Sequence, residues 1–306
     1  MSNRRFPNLF IAGAPKCGTT SLAYYLGQHD NIFAPAVKEP MYFGSDLAMK
    51  APRIRQEDYM SLYKNWKREK YSLDATPAYL VSSCAAQEIR DASPQSKIII
   101  CVRNPVDAVV SAFHHNKYRL SENAKSIEEA LDREAGRKLA GQAPRFGTLQ
   151  TLLYTELFSY STTIPRFASA FGDHSISIVV LDDLSANPTK VFEELSTWLG
   201  IESDCTADFT YHVQNSGAKA RFNILNQLSI HPPPWVGLIS QPLLSKEARR
   251  RIRQTIQDFN RVRQSAPTLR SETRARLERA FAGDVEWLSR YLNRDLTHWL
   301  DSNEPG

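Results

Sequence analysis

The stretch from Asn8 to Gln28, NLFIAGAPKCGTTSLAYYLGQ, limits what this chain can fold into more than any other. Leu9–Ile11 is a short apolar run that reads as a buried strand. From Ala23 to Leu26 the chain is helix-forming, with Leu22, Tyr25 and Leu26 on one helical face. Between them lies a tight turn carrying Gly13, Lys16, Gly18 and the hydroxyls of Thr19, Thr20 and Ser21. A strand, a glycine turn and a helix N-terminus present backbone N–H groups and the positive end of a helix dipole to an anion such as phosphate.

The spacing Gly13-x4-Gly18-Thr19-Thr20 comes close to the nucleotide-binding loop G-x4-G-K-[ST]. Thr19 stands where that loop keeps its phosphate lysine, and the lysine of this loop, Lys16, sits three residues earlier. A nucleoside triphosphatase without that lysine loses charge compensation at the β- and γ-phosphates. The loop is therefore expected to hold an anion other than the triphosphate of ATP. An ordinary glycine turn that starts a helix shares the spacing and stands as the plain alternative.

The rest of the chain alternates strand and helix. Asn31–Pro35 and Tyr71–Asp74 are candidate strands; Lys97–Val102 (KIIICV) and Ser175–Leu181 (SISIVVL) are continuous apolar runs of the kind buried in a parallel sheet. Gly44–Trp66 looks like a polar surface excursion ending in a helix. Gln87–Ala92 ends a helix, Pro105 opens one that runs through Ser111 to Tyr118, and Glu122–Leu139 is charged and helical. Gln150–Phe171 reads as one long amphipathic helix, and Pro188–Leu199 as a helix stopped by Gly200. This alternation predicts an α/β fold, P-loop-like and three-layered, with a central parallel sheet flanked by helices. Ligands of such sheets bind at the carboxyl ends of the strands. Gly13–Thr20, Asp74–Thr76 and Arg103 all follow strands and can converge there.

With 306 residues the chain is long enough to bury a large core. We expect one domain over 1–306, with an α/β core over 1–205 and a mainly helical part over 206–306. In that second part Lys246–Arg263 reads as a basic helix and Arg270–Leu292 as a mixed-charge one. The net charge of +5 suits an anionic ligand. The basic helices lack the interleaved aromatics of a nucleic-acid surface, so no nucleic-acid partner is expected. Cys17, Cys84, Cys101 and Cys205 are widely spaced, which argues against a metal site or a disulfide framework and for the reducing cytoplasm. No run of about 18 apolar residues exists, so no membrane span is expected. Nor is a cleaved leader, because cleavage would remove the first strand.

Arg103 and Ser111 lie eight residues apart, one at a strand end and one about two turns into the next helix. A guanidinium fork and a hydroxyl so placed can grip a phosphate from two sides. With Lys16 and the loop amides, the chain offers two anion sites at one sheet edge. A ligand with phosphates at two separated positions fits them.

The set P-K-C-G-T-T-S at 15–21, K-E-P-M-Y-F at 38–43 and R-N-P-x5-S at 103–111 resembles the sulfotransferases that use 3′-phosphoadenosine 5′-phosphosulfate (PAPS). It is most similar to the branch of the heparan sulfate sulfotransferases and their soluble bacterial relatives. A-T-P-A-Y at 75–79, V-L-D-D-L-x3-P at 180–188 and L-N-R-D-L-T-x-W at 292–299 extend the resemblance over almost the whole chain. It implies that Lys16, Cys17, Gly18, Thr19, Thr20 and Ser21 grip the 5′-phosphosulfate and that Arg103 and Ser111 hold the 3′-phosphate. It also implies a late basic loop over the nucleotide, here Asn215–Arg221 with Lys219, and Glu39 as the catalytic base.

The reaction so implied is in-line transfer of a sulfuryl group to a hydroxyl or amine, with Lys16 at the leaving phosphate and no metal. His114 and His115 are the alternative bases, since a histidine serves in the cytosolic branch. Ala75 and Met41 depart from the heparan sulfate enzymes at positions bordering the acceptor, which leaves a small-molecule, carbohydrate or lipid acceptor open. Asp74 is a candidate to supply a polar contact there. Two other readings compete. One is a P-loop kinase or nucleoside triphosphatase with Asp182-Asp183 as metal acid; the other is a non-enzymatic polyanion-binding protein using the basic C-terminal helices.

Overall fold

The computed structural model describes residues 5–202, 218–220, 245, 248, 255, 259–263 and 269–300. Five parallel strands form the centre: β1 (Leu9–Gly13), β2 (Ile32–Phe33), β3 (Tyr71–Ala75), β4 (Lys97–Val102) and β5 (Ile176–Val180), in the order β2-β3-β1-β4-β5. β1 pairs Leu9 with Leu73 of β3 on one side and with Lys97 of β4 on the other. Every residue of β1 is buried, and so is β4 from Ile98 onward. Unbroken apolar runs are what strands covered on both faces require. The chain leaves β1 toward β3 and β2, then returns past it to β4. β1 thus sits where the winding reverses, the place at which a sheet of this kind opens a crevice at its carboxyl edge.

The helices that bear on that edge are α1 (Thr19–Leu26) after β1, α2 (Gln56–Ser61) and α3 (Ala85–Ala92) around β3, and α4 (Pro105–Tyr118) after β4. Pro105 opens α4, and the Asn104 side chain accepts the Val106 N–H, so the Arg103-Asn104-Pro105 corner is a capped helix start. α5 (Ile127–Asp132) and α6 (Glu134–Ala140) divide the expected helix over Glu122–Leu139 in two. The Gly44–Trp66 segment is not a surface excursion: Tyr59 and Tyr63 are buried in the main core.

The single helix expected over Gln150–Phe171 is instead a 3-10 turn (Leu149–Leu152), one turn of helix α7 (Tyr154–Leu157) and then α8 (Tyr160–Phe171). A residue far away in sequence makes the break. Asp284, on the long helix Ser271–Leu292, accepts from the Ser161 N–H at 2.9 Å, the Ser161 hydroxyl at 2.5 Å and the Ser159 hydroxyl at 3.1 Å. A carboxylate on the first turn of α8 fixes a new helix start at Tyr160. Of the expected basic helix Lys246–Arg263, most lies outside the described residues. Its end, Arg261–Arg263, is a strand, β7, paired antiparallel with β6 (Ala218–Ala220).

Asp284→Ala leaves the α8 start and two hydroxyls without their acceptor. It should lower the free energy of unfolding by about 1–3 kcal/mol in urea titration. An unchanged midpoint would mean that α8 is held by something else.

Candidate functional site

The loop between β1 and α1 has its shape set by packing at both glycines. A Cβ on Gly13 would lie 2.4 Å from the Leu80 Cβ, so the 3-10 turn Pro77–Val81 can close over the end of β1 only if residue 13 has no side chain. Gly18 has φ +84°, and a Cβ there would meet Leu181 at 2.8 Å. The Ala14 N–H donates to Cys101 O at 2.7 Å, tying the loop to β4. Lys16 itself takes a left-handed φ of 64°, a conformation that costs a non-glycine residue energy and that clusters at functional sites. α1 starts with no side-chain cap and no acidic residue in its first turn. α4 and the helix Pro188–Leu199, by contrast, are capped by Asn104 and Asn187. The partial positive charge of such a helix N-terminus suits an anion.

Cys17 turns its side chain inward. Its sulfur lies 3.7 Å from the Tyr160 hydroxyl, which donates to Arg103 O at 2.9 Å and accepts the Arg103 N–H at 3.2 Å. One buried hydroxyl thus joins the end of β4 to the anion loop. Burial pushes the Cys17 thiol up to about 12, against the opposing pull of the Tyr160 hydroxyl and then of the Arg103 and Lys16 charges. Both cations act on the same sulfur. Thr19 and Ser21 are buried, while Lys16, Thr20, Arg103 and Ser111 are half-buried.

Glu39 follows β2 in a loop where Glu39 and Met41 have φ of 53° and 56°. Tyr79 secures that loop: its hydroxyl accepts the Tyr42 N–H at 3.2 Å and donates to Asp74 at 3.0 Å. Glu88 secures its far end by accepting the Gly44 N–H at 2.6 Å. Glu39 keeps a large part of its own surface open to solvent, yet burial pushes its carboxyl up, opposed by the Lys38, Arg119 and Lys16 charges. His115 is in the same position. It is exposed by area, while burial first, then Lys16 and Arg119, drives its imidazole down to about 3 and keeps it neutral at pH 7.

The Lys16 and Arg119 charges act on both Glu39 and His115. The His114 ring packs on Phe113 at 5.2 Å between centroids. Asp74 does not face a ligand. It is fully buried, accepts from the Thr76, Tyr59 and Tyr79 hydroxyls, and burial raises its carboxyl to about 6. Asp182 and Asp183 are likewise committed, to Trp299 Nε1 at 3.0 Å and Arg294 at 2.5 Å. Among the described residues, no group of three or more His, Cys, Asp or Glu could hold a metal ion. Of the Asn215–Arg221 loop, the backbone of Ala218–Ala220 is described: Lys219 lies in β6, which runs beside α4. The rest of that loop lies outside the described residues.

Three contributors escaped the sequence reading. Tyr160 and Tyr79 act through hydroxyl contacts that join segments 36 to 143 residues apart, and no local pattern encodes these. Arg119 did leave a signal: Ser111, His115 and Arg119 follow at four-residue spacing along α4, which places them on one face of the helix.

The sulfotransferase domain profile matches residues 6–224 of the chain. The chain is 24% identical over 230 residues to a bifunctional heparan sulfate N-deacetylase/N-sulfotransferase 1 of Caenorhabditis briggsae, covering 71% of this chain and 25% of that protein. It is 32% identical over 113 residues to the heparan sulfate glucosamine 3-O-sulfotransferase 6 of Homo sapiens, covering 36% of this chain and 30% of that one. The chain thus spans about a quarter of the length of the curated relatives it matches. The crystal structure of a sulfotransferase from Alicyclobacillus acidocaldarius shares the fold, with a TM-score of 0.70 and 24% identity over 97% of this chain and 99% of that chain.

Burial and the raised thiol make Cys17 a packing residue of the loop. At pH 8, iodoacetamide should label half-buried Cys84 at least about tenfold faster than Cys17 or Cys101, read by peptide mass spectrometry. Fast labelling of Cys17 would show that the loop opens in the native protein.

Proposed function

Since the chain belongs to the sulfotransferase domain family, we propose that it transfers the sulfuryl group of PAPS to a hydroxyl or amine of an acceptor, with Glu39 as base and Lys16 at the leaving phosphate. The observation that carries this reading is the double role of Lys16. Its charge acts with Arg103 on the Cys17 sulfur, and also on Glu39 and His115. A lysine whose charge acts on both groups supports a role for it between the nucleotide and the base.

In this reading the uncapped α1 amides, Lys16, Gly18, Thr19, Thr20 and Ser21 bind the 5′-phosphosulfate, with Cys17 contributing backbone shape. Arg103 and Ser111 bind the 3′-phosphate, and β6 with Lys219 approaches from the α4 side. Residues 206–306 form the part that closes over the nucleotide within one domain. Glu39 accepts the proton of the acceptor as its oxygen or nitrogen attacks sulfur; the bond from sulfur to the 5′-phosphate oxygen breaks, and its electron pair leaves with adenosine 3′,5′-bisphosphate. Lys16 and the loop amides stabilise the charge that grows on that oxygen. Burial makes the Glu39 carboxylate a stronger base than an exposed one, as proton abstraction requires. His115 is neutral near pH 7 and can orient the acceptor by a hydrogen bond without competing for its proton.

The kinase reading needs a free metal acid, and Asp182 and Asp183 already serve as acceptors for Trp299 and Arg294. The polyanion reading rests on Lys246–Arg263, most of which lies outside the described residues. No helix among the described residues is long and apolar enough to cross a membrane. Cys17, Cys84 and Cys101 are free thiols, in keeping with a cytoplasmic setting.

Lys16→Ala and Arg103→Ala should each weaken adenosine 3′,5′-bisphosphate at least about tenfold in calorimetry, the loss expected for charge-assisted hydrogen bonds. Glu39→Gln should spare that binding and lower turnover by about 10²–10⁴. A raised carboxyl holds its proton to higher pH, so wild-type activity should fall as pH drops through a midpoint above the ordinary carboxylate range. That limb should vanish in Glu39→Gln. Its survival there, and its loss in His115→Ala, would transfer the role of base to His115.

A further inference from the structure

A cavity of about 310 Å³ opens between α1, the segment 34–38 and the end of β3. Ala23, Tyr24, Pro35, Val37, Leu73 and Ala75 line it, and Lys38 is the one charged residue among its walls. Tyr24 and Val37 are 44% and 48% exposed. They are two of the five large apolar side chains that the described surface leaves open, and both face the same groove. Scattered exposed apolar residues need no explanation, but two converging on one concave surface mark a binding site.

Its walls include Thr20, in the first turn of α1 behind Gly18, and Lys38, the sequence neighbour of Glu39, whose carboxyl feels the Lys38 charge. Ala75 closes the floor with a methyl group where a longer or charged side chain would fill the space.

The geometry points to this groove as the acceptor subsite, and to an uncharged hydroxy compound with an apolar body as the acceptor. The inference rests on the proposed sulfuryl transfer and adds the substrate class to it. A sulfated or carboxylated sugar chain is recognised by several lysine and arginine side chains along its length, and Lys38 alone cannot provide that. Apolar walls favour desolvating a hydrocarbon or aromatic body, with the Tyr24 ring as a stacking surface. A volume of this size holds a small molecule whose hydroxyl emerges at the Lys38 end, beside Glu39.

The test uses the whole chain saturated with adenosine 3′,5′-bisphosphate and follows 2-naphthol and 1-octanol by saturation-transfer NMR. We expect at least one of the two to bind, and Val37→Asp and Tyr24→Asp, both at exposed positions that spare the core, to weaken it at least about tenfold. Bisphosphate affinity should be unchanged in both variants. Binding of neither probe, or equal binding by wild type and both variants, overturns the inference. So does a heparan sulfate hexasaccharide that binds and displaces nothing from the groove while serving as the sulfuryl acceptor. The bisphosphate titration reads the underlying function separately. A protein that binds the nucleotide but neither probe loses the substrate class alone, whereas one that fails to bind the nucleotide loses both.

Discussion

The hydroxyl of Tyr160 is the contact on which the rest of the crevice depends. It both accepts from and donates to the backbone of Arg103, and it abuts the Cys17 sulfur. β1 and β4 are neighbours in the sheet, but pairing ends where each strand gives way to its loop. Beyond that point the loop is tied to the strand end by the Ala14 N–H bond to Cys101 O and by one buried oxygen, the Tyr160 hydroxyl. Buried polar groups with every partner in place rigidify their surroundings. α8 in turn can deliver Tyr160 because Asp284 sets its first turn, so a distant helix fixes the geometry of the loop.

A second chain of contacts runs from the C-terminal segment to the same corner. Asn104 donates to Trp299 O at 2.8 Å, while its own side-chain oxygen caps α4. The Trp299 ring nitrogen donates to Asp182, and Arg294 pairs with Asp183. The segments V-L-D-D-L and L-N-R-D-L-T-x-W, more than a hundred residues apart, are therefore two halves of one joint, and the joint is built onto the residue after Arg103. The acids that suggested a metal site hold together the helix start that presents Arg103 and Ser111. Adding a metal there would require breaking that joint.

How much of this was legible in the sequence depended on the range of the interaction. The strands and the anion loop were readable because burial on both faces writes a continuous apolar run, and a φ near +84° at residue 18 demands glycine. The helix Gln150–Phe171 was misread because its amphipathic period continues through a break made by Asp284, and no window of local sequence contains that carboxylate. Asp74 was misassigned for the same reason: its three hydroxyl partners come from Tyr59, Thr76 and Tyr79, and the first of these sat in a segment taken for surface. Glu39 was named through resemblance alone, since the hydrogen bonds that hold its loop come from Tyr79 and Glu88, far along the chain. Arg119 lies on the four-residue period of Ser111 and His115, a signal that the helix face carries in its local sequence.

Charge balance links the two sides of the crevice. Burial and cations oppose each other at Glu39: enclosure favours the protonated acid, while Lys38, Arg119 and Lys16 favour the carboxylate, and enclosure prevails. At His115 both influences favour the neutral form. On the proposed function, the nucleotide brings negative charge against Lys16 and so cancels part of the pull that keeps Glu39 ionised. The carboxylate then becomes more basic when the sulfuryl donor is in place. On that proposal Lys16 couples donor binding to proton abstraction by electrostatics. The strained backbone at Lys16, Glu39 and Met41 fits such a site: the surrounding fold holds groups whose mutual field does the work, in conformations they would leave if released.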